Sequence, residues 1–516
     1  MKLVKSLLLG SAAGLIAVGG AQAADLPVKA KAVEYVKICS LYGAGFYYMP
    51  GTDTCIKLGG YLRADAVLGG SGDYGFNNSQ PAAANGGSNN RLTNYYYTRA
   101  RMDLNVDTRT ATEYGVVRTY ADMIFSYDTG NITGSAPATF AAGGATLGLY
   151  HAFIQFAGFT MGRTVSIFDA PWNSYPAGGP DTIPGGSNHV TGINQFAYTA
   201  DFGQGITGSL ALESPDTQSN GQGNLWNVTA FTASGSVSGA GVPLFSSAAT
   251  NAGNALVLGQ YGLNGWGGTR SPDIVGAVRV DQAWGLAQFS VAAHDLHPGW
   301  YAQTETSGHP SDKWGWAVQG SLSIKNIPTG AGDSINLQAV YTDGDSRQNF
   351  QVLFPQSFSM YSGSGIAYQS VGFAGIADGV FGAGGSIETV KTWGVRGGFT
   401  HNWNPYWASA IYGGYASLSY TSNAKTLICA NFVAAYGAAT ATCNPDFNFG
   451  VIGVNTVWTP VKNLAFTADL SWSRLDQKYS GTIAIPAINP FGKPAATYEL
   501  KDQNSLTLLL RANRTF

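Results

Sequence analysis

Basic residues recur at one parity in several extended runs of this chain: Lys57 and Arg63 in one, Arg99 and Arg101 in the next, Arg118 in a third. Arg279, Arg396 and Arg511 hold the same relation to the apolar residues of their own runs. Acidic residues accompany them. Asp103 and Asp122 share the parity of the arginines beside them, while Asp169 and Asp181 lie in a Gly- and Pro-rich stretch between runs. Such a set suits sorting rather than bond-making: opposed charges across a narrow aqueous gap make a field that discriminates solutes by charge and dipole. A competing reading is that several arginines pair with neighbouring Asp and stiffen a wall, because unpaired buried charge is costly.

Enzyme chemistry finds little support. Gly70-Ser-Gly72-Asp-Tyr-Gly75 matches a dinucleotide fingerprint as a string, but it sits in a Gly/Asn-rich loop with no amphipathic helix after it. No Gly-x-Ser-x-Gly elbow occurs. His294 and His297 are three apart, which on a strand sends their rings to opposite faces. His151 and His401 have no Ser and polar orienter beside them in sequence. No metal site, cofactor or nucleic-acid partner is expected, the last because the net charge is only −2.

The elements that must position the charges are β-strands. Leu506, Leu508, Leu510 and Ala512 alternate with Thr507, Arg511 and Asn513 up to a terminal Phe516. This period of two gives one apolar and one polar face. Ile56, Leu58, Leu62 and Ala64 alternate in the same way with Lys57, Tyr61, Arg63 and Asp65, and Met102, Leu104 and Val106 with Arg101, Asp103 and Asn105. A strand that ends a chain is most easily explained if it closes a sheet, and in lipid closure is obligatory. Short connections near Thr108, Gly158, Gly203, Ala283, Ile327, Asn404 and Pro460 alternate with long loops rich in Gly, Ser, Asn and Ala. Seven short turns plus closure predict an all-β transmembrane antiparallel barrel of about 16 strands, with short periplasmic turns and long outer loops. Trp393, Trp403, Tyr406, Trp407 and Trp458 fall at strand ends, as an interfacial aromatic girdle requires. Phe153, Ile154 and Phe156 interrupt the alternation, as a wall packed on another subunit could. Arg163 shares the parity of Met161 and Val165, so its facing is ambiguous.

Composition agrees. Charged residues are 11% of the chain and Gly 69 of 516, while hydrophobic content is an ordinary 45%. Soluble domains carry about 25% charge. Lys2 and Lys5, the apolar run Leu7–Val18 and Ala21-Gln-Ala23 read as a secretory signal over 1–23. Residues 24–55 read as a periplasmic N-terminal segment and 56–516 as the barrel. Four cysteines in an exported chain favour disulfides. Of three connectivities, the pairs nearest in sequence, Cys39–Cys55 and Cys429–Cys443, are expected.

The segment Cys39-Ser-Leu-Tyr-Gly-Ala-Gly-Phe-Tyr-Tyr-Met-Pro-Gly-Thr-Asp-Thr-Cys55-Ile-Lys-Leu-Gly-Gly-Tyr-Leu-Arg63 resembles the opening of the alphaproteobacterial general porins. Tyr97-Thr-Arg99-Ala-Arg101, Gly162-Arg-Thr-Val165, Gly192-Ile-Asn-Gln-Phe-Ala-Tyr198 and the terminal Phe516 extend the likeness. The resemblance implies a homotrimer in the outer membrane, each subunit a water-filled pore. It also implies a third outer loop, here about 168–192, folded into the pore. A terminal Phe516 read by the outer-membrane assembly machinery is implied as well. The expected function is passive diffusion of small hydrophilic solutes and ions, selected by width and by the field between the basic wall and Asp169 and Asp181. The alternative is a substrate-specific channel, for sugars or anions, with a saturable lumen site in which Tyr95, Tyr96, Tyr97 and Tyr120 form an aromatic slide.

Overall fold

The structure, a computed structural model, describes residues 37–69, 96–129, 144–170, 172, 183–215, 225–228, 261–302, 304–350, 358–436, 440–485 and 494–516. The stretch read as a signal peptide, Asp181 and Tyr95 lie outside them. Sixteen antiparallel strands form a closed barrel in chain order. They are β1 (Thr54–Gly69), β2 (Tyr96–Thr112), β3 (Gly115–Asp128), β4 (Gly144–Phe156), β5 (Phe159–Thr164), β6 (Ile193–Asp201), β7 (Ile206–Glu213) and β8 (Asp273–Gln282). The second half comprises β9 (Gly285–Leu296), β10 (Lys313–Lys325), β11 (Ser334–Asp343), β12 (Lys391–Asn404), β13 (Trp407–Ser419), β14 (Phe447–Val461), β15 (Leu464–Gln477) and β16 (Gln503–Thr515). Closure is made by β1 on β16, from Tyr61↔Thr515 to Gly69↔Thr507, and the Phe516 amide donates to the Gly60 carbonyl at 3.1 Å. No edge is left along that seam, which is the condition for strands in hydrocarbon.

Side chains follow the pleat. Leu58, Leu62, Leu210, Phe289, Leu337, Ile452 and Leu506 are exposed on the outer face, whereas Gln288, Gln319, Gln338 and Ser471 on the opposite parity are buried. Exposed rings mark both ends of the outer band: Trp284, Trp403, Tyr406, Trp407, Trp458 and Phe516 near the short turns, Trp314, Trp316, Trp393 and Trp472 near the long loops. Two turns fall beyond their expected places. The first lies at Glu113-Tyr114, because β2 runs on to Thr112. The last lies at Lys462-Asn463, because Pro460 stays within β14 beside a register shift between Trp458 and Val461. A bulge tolerates a residue without an N–H.

At the short-turn end, Tyr47-Tyr48 pair with Cys55-Ile56 on the stretch of β1 that β16 does not reach. Cys39–Cys55 staples this hem, and Phe46 is buried within it.

The described parts of the sixth, seventh and eighth outer loops carry structure of their own. Strands Phe358–Ser362, Gln369–Ala374, Ser480–Ile485, Ala496–Leu500 and Ala441–Thr442 form a second sheet of five. A helix, α1 (Ser422–Tyr436), buries Ala424, Ile428 and Phe432, one face at a spacing of four. The Thr421 hydroxyl accepts from the Ala424 amide at 3.2 Å and caps it. Cys429–Cys443 ties α1 to that sheet. Closing a loop of this length constrains the unfolded chain by about 3 kcal/mol. Replacing both Cys429 and Cys443 with Ser is therefore expected to make the outer loops a target for limited proteolysis while heat-modified gel mobility still reports an intact barrel.

Candidate functional site

The inner face of β1–β4 carries the basic side chains, and nearly all are spoken for. Arg99 grips Asp128 with two bonds of 2.7 Å. Asp65, buried, takes Arg511 at 2.7 Å and Arg63 at 3.3 Å. Asp107 is shared by Arg118 and Arg109, each at 3.0 Å. Arg101 instead donates to the Ser126 hydroxyl at 2.8 Å. Asp122 lies 3.8 Å from His151. Lys57 is nearer the short-turn mouth, 5.9 Å from the Phe46 ring, and Arg279 pairs with Asp281 at 3.0 Å beside a short turn. Pairing among neighbours on one wall is thus pervasive. Arg109 belongs to the set, and its alternation with Asp107 and Asn105 was its signal in the sequence.

Rings interleave with these charges. Arg118 lies over Tyr120 at 5.2 Å and Phe153 at 5.4 Å, Arg63 over Tyr61 at 5.5 Å, and Arg101 over Tyr150 at 6.0 Å. The broken alternation of β4 has a local cause. A register shift opposite Asp122/Met123 skips Tyr150, so Leu147 and Leu149 face outward while His151, Phe153 and Gln155 face inward and Ile154 is exposed again outside. A bulge re-aims side chains in this way. Of the tyrosines considered for a slide, Tyr120 is in the lumen and Tyr96 is exposed on the outward parity.

The described residues of the third outer loop, between β5 and β6, lie on the inner wall. Phe168 is buried in a patch of small inward residues, Ala197, Ala211, Val275, Ala292, Ala317 and Val340. A ladder of inward amides pins its backbone: Gln288 donates to the Ile167 and Asp169 carbonyls, and Gln319 to Phe168 at 2.7 Å. Gln338 links Gln319 to Arg396, and Arg396 donates to the Ser187 carbonyl at 2.6 Å. Arg396 therefore holds the loop and is buried. Gly414 and Gly394 let the loop approach, since a Cβ there would meet the Pro184 carbonyl at 2.3 Å or Gly185 at 2.6 Å. Asp169 is buried at the loop's neck, bound to Ser187 and to the amide and ring of His189. Burial alone would push its carboxyl up, but His189 and these hydrogen bonds hold it below its ordinary range.

Behind the loops sits a second charged cluster. His294 bonds Asp273 at 2.7 Å and approaches Asp378 at 4.0 Å, and Arg347 lies 3.3 Å from Asp273. Asp345 is fully buried beside them, and among the described residues neither of its carboxyl oxygens has a hydrogen-bond partner. His297 turns to Asp312 instead, so the two histidines of the sequence pair serve different carboxylates. Among the described residues no group of three or more His, Cys, Asp or Glu could hold a metal ion.

Residues 25–509 match the family model of the Porin subfamily. The chain belongs to this family. Porin Omp2b of Brucella suis is 29% identical over 365 residues, spanning 66% of this chain and 84% of the relative. Porin Omp2b of Brucella abortus (strain 2308) is 31% identical over 329 residues, 63% and 75% of the two chains. Among solved structures, the outer membrane channel DcaP of Acinetobacter baumannii superposes with a TM-score of 0.52 at 15% identity, over 91% of this chain and 99% of that one, which shows the fold alone. This porin is an outer-membrane β-barrel that crosses the membrane many times, and its family function is a channel rather than an enzyme.

One part of the porin's interior escaped the sequence reading. Tyr412, Ala416 and Leu418 on β13, Phe447, Phe449 and Val451 on β14, and Leu475 on β15 point inward and are buried in one core with Met360, Val371, Phe373 and Ala374 of loop 6, the connection 344–390. The signal was present. Phe447, Phe449 and Val451 alternate with Ile452 and Val454 across both faces of β14, and a strand between lipid and water has no use for an apolar inner face.

Proposed function

We propose that this porin is a passive diffusion channel for small hydrophilic solutes and ions, selecting by width and by the field of the charged wall on β1–β4. The observation that carries this reading is a closed barrel whose Arg- and Asp-studded inner wall keeps Arg63, Arg99, Arg101, Arg109 and Arg118 partly accessible, while the third loop is fastened to the opposite side. The acidic groups nearest those arginines are Asp65, Asp103, Asp107, Asp122 and Asp128 on the wall itself, whereas Asp169 is bound to Ser187 and His189 at the loop neck. Alternating charges along one wall favour dipolar solutes and give weak ion selectivity.

The assembly proposed is a homotrimer. Arg163 supports it: this outward side chain lines a groove with Leu149, Ala152, Asn194 and Ser214 and donates to the Leu149 carbonyl at 3.0 Å, a polar patch that lipid alone would not favour. Export by the N-terminal signal and insertion through the strand ending at Phe516 complete the proposal.

Single-channel recording in a planar bilayer under a salt gradient tests it. Openings in groups of three, linear in salt, are expected; no conductance from correctly folded protein would overturn the reading. Arg101 donates to the Ser126 hydroxyl, where Arg99 and Arg118 donate to carboxylates. Arg101→Glu is expected to move the reversal potential toward cation preference by several-fold in permeability ratio, with unit conductance changed far less. A second reading, a channel with a saturable site, draws on the Arg118–Tyr120–Phe153 stack. Current blocked saturably by one solute class would favour it.

A further inference from the structure

We infer that loop 6 is a second constriction element, a folded plug that fills the outer lumen along β13–β16 and forces solutes onto an off-axis path beside β1–β4. This rests on the channel reading and adds where the channel runs and what sets its width. The first support is burial. Inward residues Ala416, Phe449, Leu475, Ser473 and Thr507 would face water in an open lumen, yet each is at most 1% exposed. The second is bonding. Gln477 donates to the Val371 carbonyl at 3.0 Å and accepts from the Phe373 amide at 3.3 Å, and Gln503 donates to the Ser370 hydroxyl at 3.1 Å. Both are inward side chains at the outer ends of β15 and β16, and both bond the middle of loop 6, so the loop is fastened to the inner side of the rim. The buried Phe449, Val451 and Tyr412 of the same core lie deeper along β13 and β14. A Cβ added to Gly372 would stand 2.8 Å from Gln503 and 3.1 Å from Leu475, so the loop backbone rests directly on the wall.

The plug is anchored at its other end too. The Arg347 guanidinium donates to the Pro215 carbonyl at 3.1 Å and faces Asp273, while the Ser346 amide and hydroxyl both donate to Asp378 at 2.6 and 2.8 Å. Parallel pairing of Gly379–Phe381 with Leu225–Asn227 adds part of loop 4, and Gln369–Val371 pair with Tyr498–Leu500 of loop 8. A loop held by an apolar core, side-chain bonds to two wall strands and pairing to two other loops is a fixed body rather than a swinging lid. Among the described residues, the Arg- and Tyr-lined wall of β1–β4 stays partly accessible. The solute class that fits is correspondingly narrow and hydrophilic: slender polar molecules pass, while bulky ones of equal charge are stopped by the plug.

Cysteine accessibility tests this with the loop intact. Asn105→Cys places a thiol on the open wall, and Ala416→Cys places one on the covered wall with minimal change of volume. Each folded protein is exposed to a charged methanethiosulfonate, with labelling followed by intact mass and by current. Asn105→Cys is expected to label quickly and lose current. Ala416→Cys is expected to label at least about 100-fold more slowly, because reaction waits for the plug to open. Equal rates would overturn the plug. Replacing residues 358–376 with a short Gly-Ser linker should then raise conductance several-fold and make Ala416→Cys reactive; an unchanged conductance from a correctly folded variant would also overturn it. Because labelling is read by mass, a non-conducting protein would defeat the channel reading while still deciding where loop 6 lies.

Discussion

Arg396→Ala is expected to raise single-channel conductance and to make the open level noisy, with the barrel itself intact. Its guanidinium is buried and donates to the Ser187 carbonyl and to Gln338, which in turn bonds Gln319, which holds the Phe168 carbonyl. Hydrogen bonds made by a charged group are worth about 1.5–3 kcal/mol each. Losing two removes about 3 kcal/mol or more from the docked third loop, roughly two orders of magnitude in its ratio to the undocked state. Truncation also leaves the Gln338 carbonyl oxygen and the Ser187 carbonyl short of a donor. Phe168 in its patch of small residues still resists release, so partial excursions and not permanent loss of the loop are expected. Arg396→Lys separates charge from geometry. One ammonium cannot reproduce the planar fork, so noise should persist in that variant while ion preference stays put. A quiet, wild-type open level in Arg396→Ala would show that the apolar patch alone holds the loop.

The parts of the fold that repeat every two residues were legible, because a strand between lipid and lumen prints its two faces directly into the sequence. Leu506 to Phe516 is such a print, and it led to closure on β1. The seven short turns were legible as brief breaks between alternating runs, several at Gly, Asn or Pro, but misplaced where β2 ran on to Thr112 and where Pro460 sat in a bulge. Cys39–Cys55 and Cys429–Cys443 form as their spacing suggested. Parity puts Arg101 and Arg396 on the same face of their strands, but it is blind to what lies in front of a side chain. Arg101 and Arg396 obey the same rule, yet one meets the open wall and the other is sealed beneath a loop, a difference made by residues about 200 positions away. Asp169 was hidden for the same reason: its partners Ser187 and His189 lie across a loop whose path no local pattern dictates. α1 was missed although Ala424, Ile428 and Phe432 keep a helical period, because the Gly- and Ser-rich loops around it set the expectation.

Asp345 offers the sharpest test of how firmly loop 6 is locked. Burial pushes its carboxyl up, His294 and Arg347 pull it back, and Asp273 and Asp378 push it up again, leaving it at about 7 against an ordinary 3.8. In the unfolded loop the group ionises near its ordinary value. Folding therefore favours the protonated form: the penalty for ionised Asp345 begins as pH rises above about 3.8 and is complete above about 7. A tenfold change in a group's acidity corresponds to about 1.36 kcal/mol, so at pH 8 the full penalty is on the order of a few kcal/mol. Asp345→Asn removes it at nearly constant shape. The variant is expected to slow hydrogen exchange and proteolysis of loop 6 strongly at pH 8 and much less at pH 5. In the wild type the same loop should tighten as pH falls from 8 to 6. The other cluster groups keep their geometry in this variant: Arg347 still faces Asp273, and Ser346 still bonds Asp378. Any stabilisation that appears only at high pH therefore belongs to Asp345. A pH-independent effect would assign it to packing, and a loss of protection at pH 8 would mean that ionised Asp345 is a needed counter-charge for Arg347 and His294.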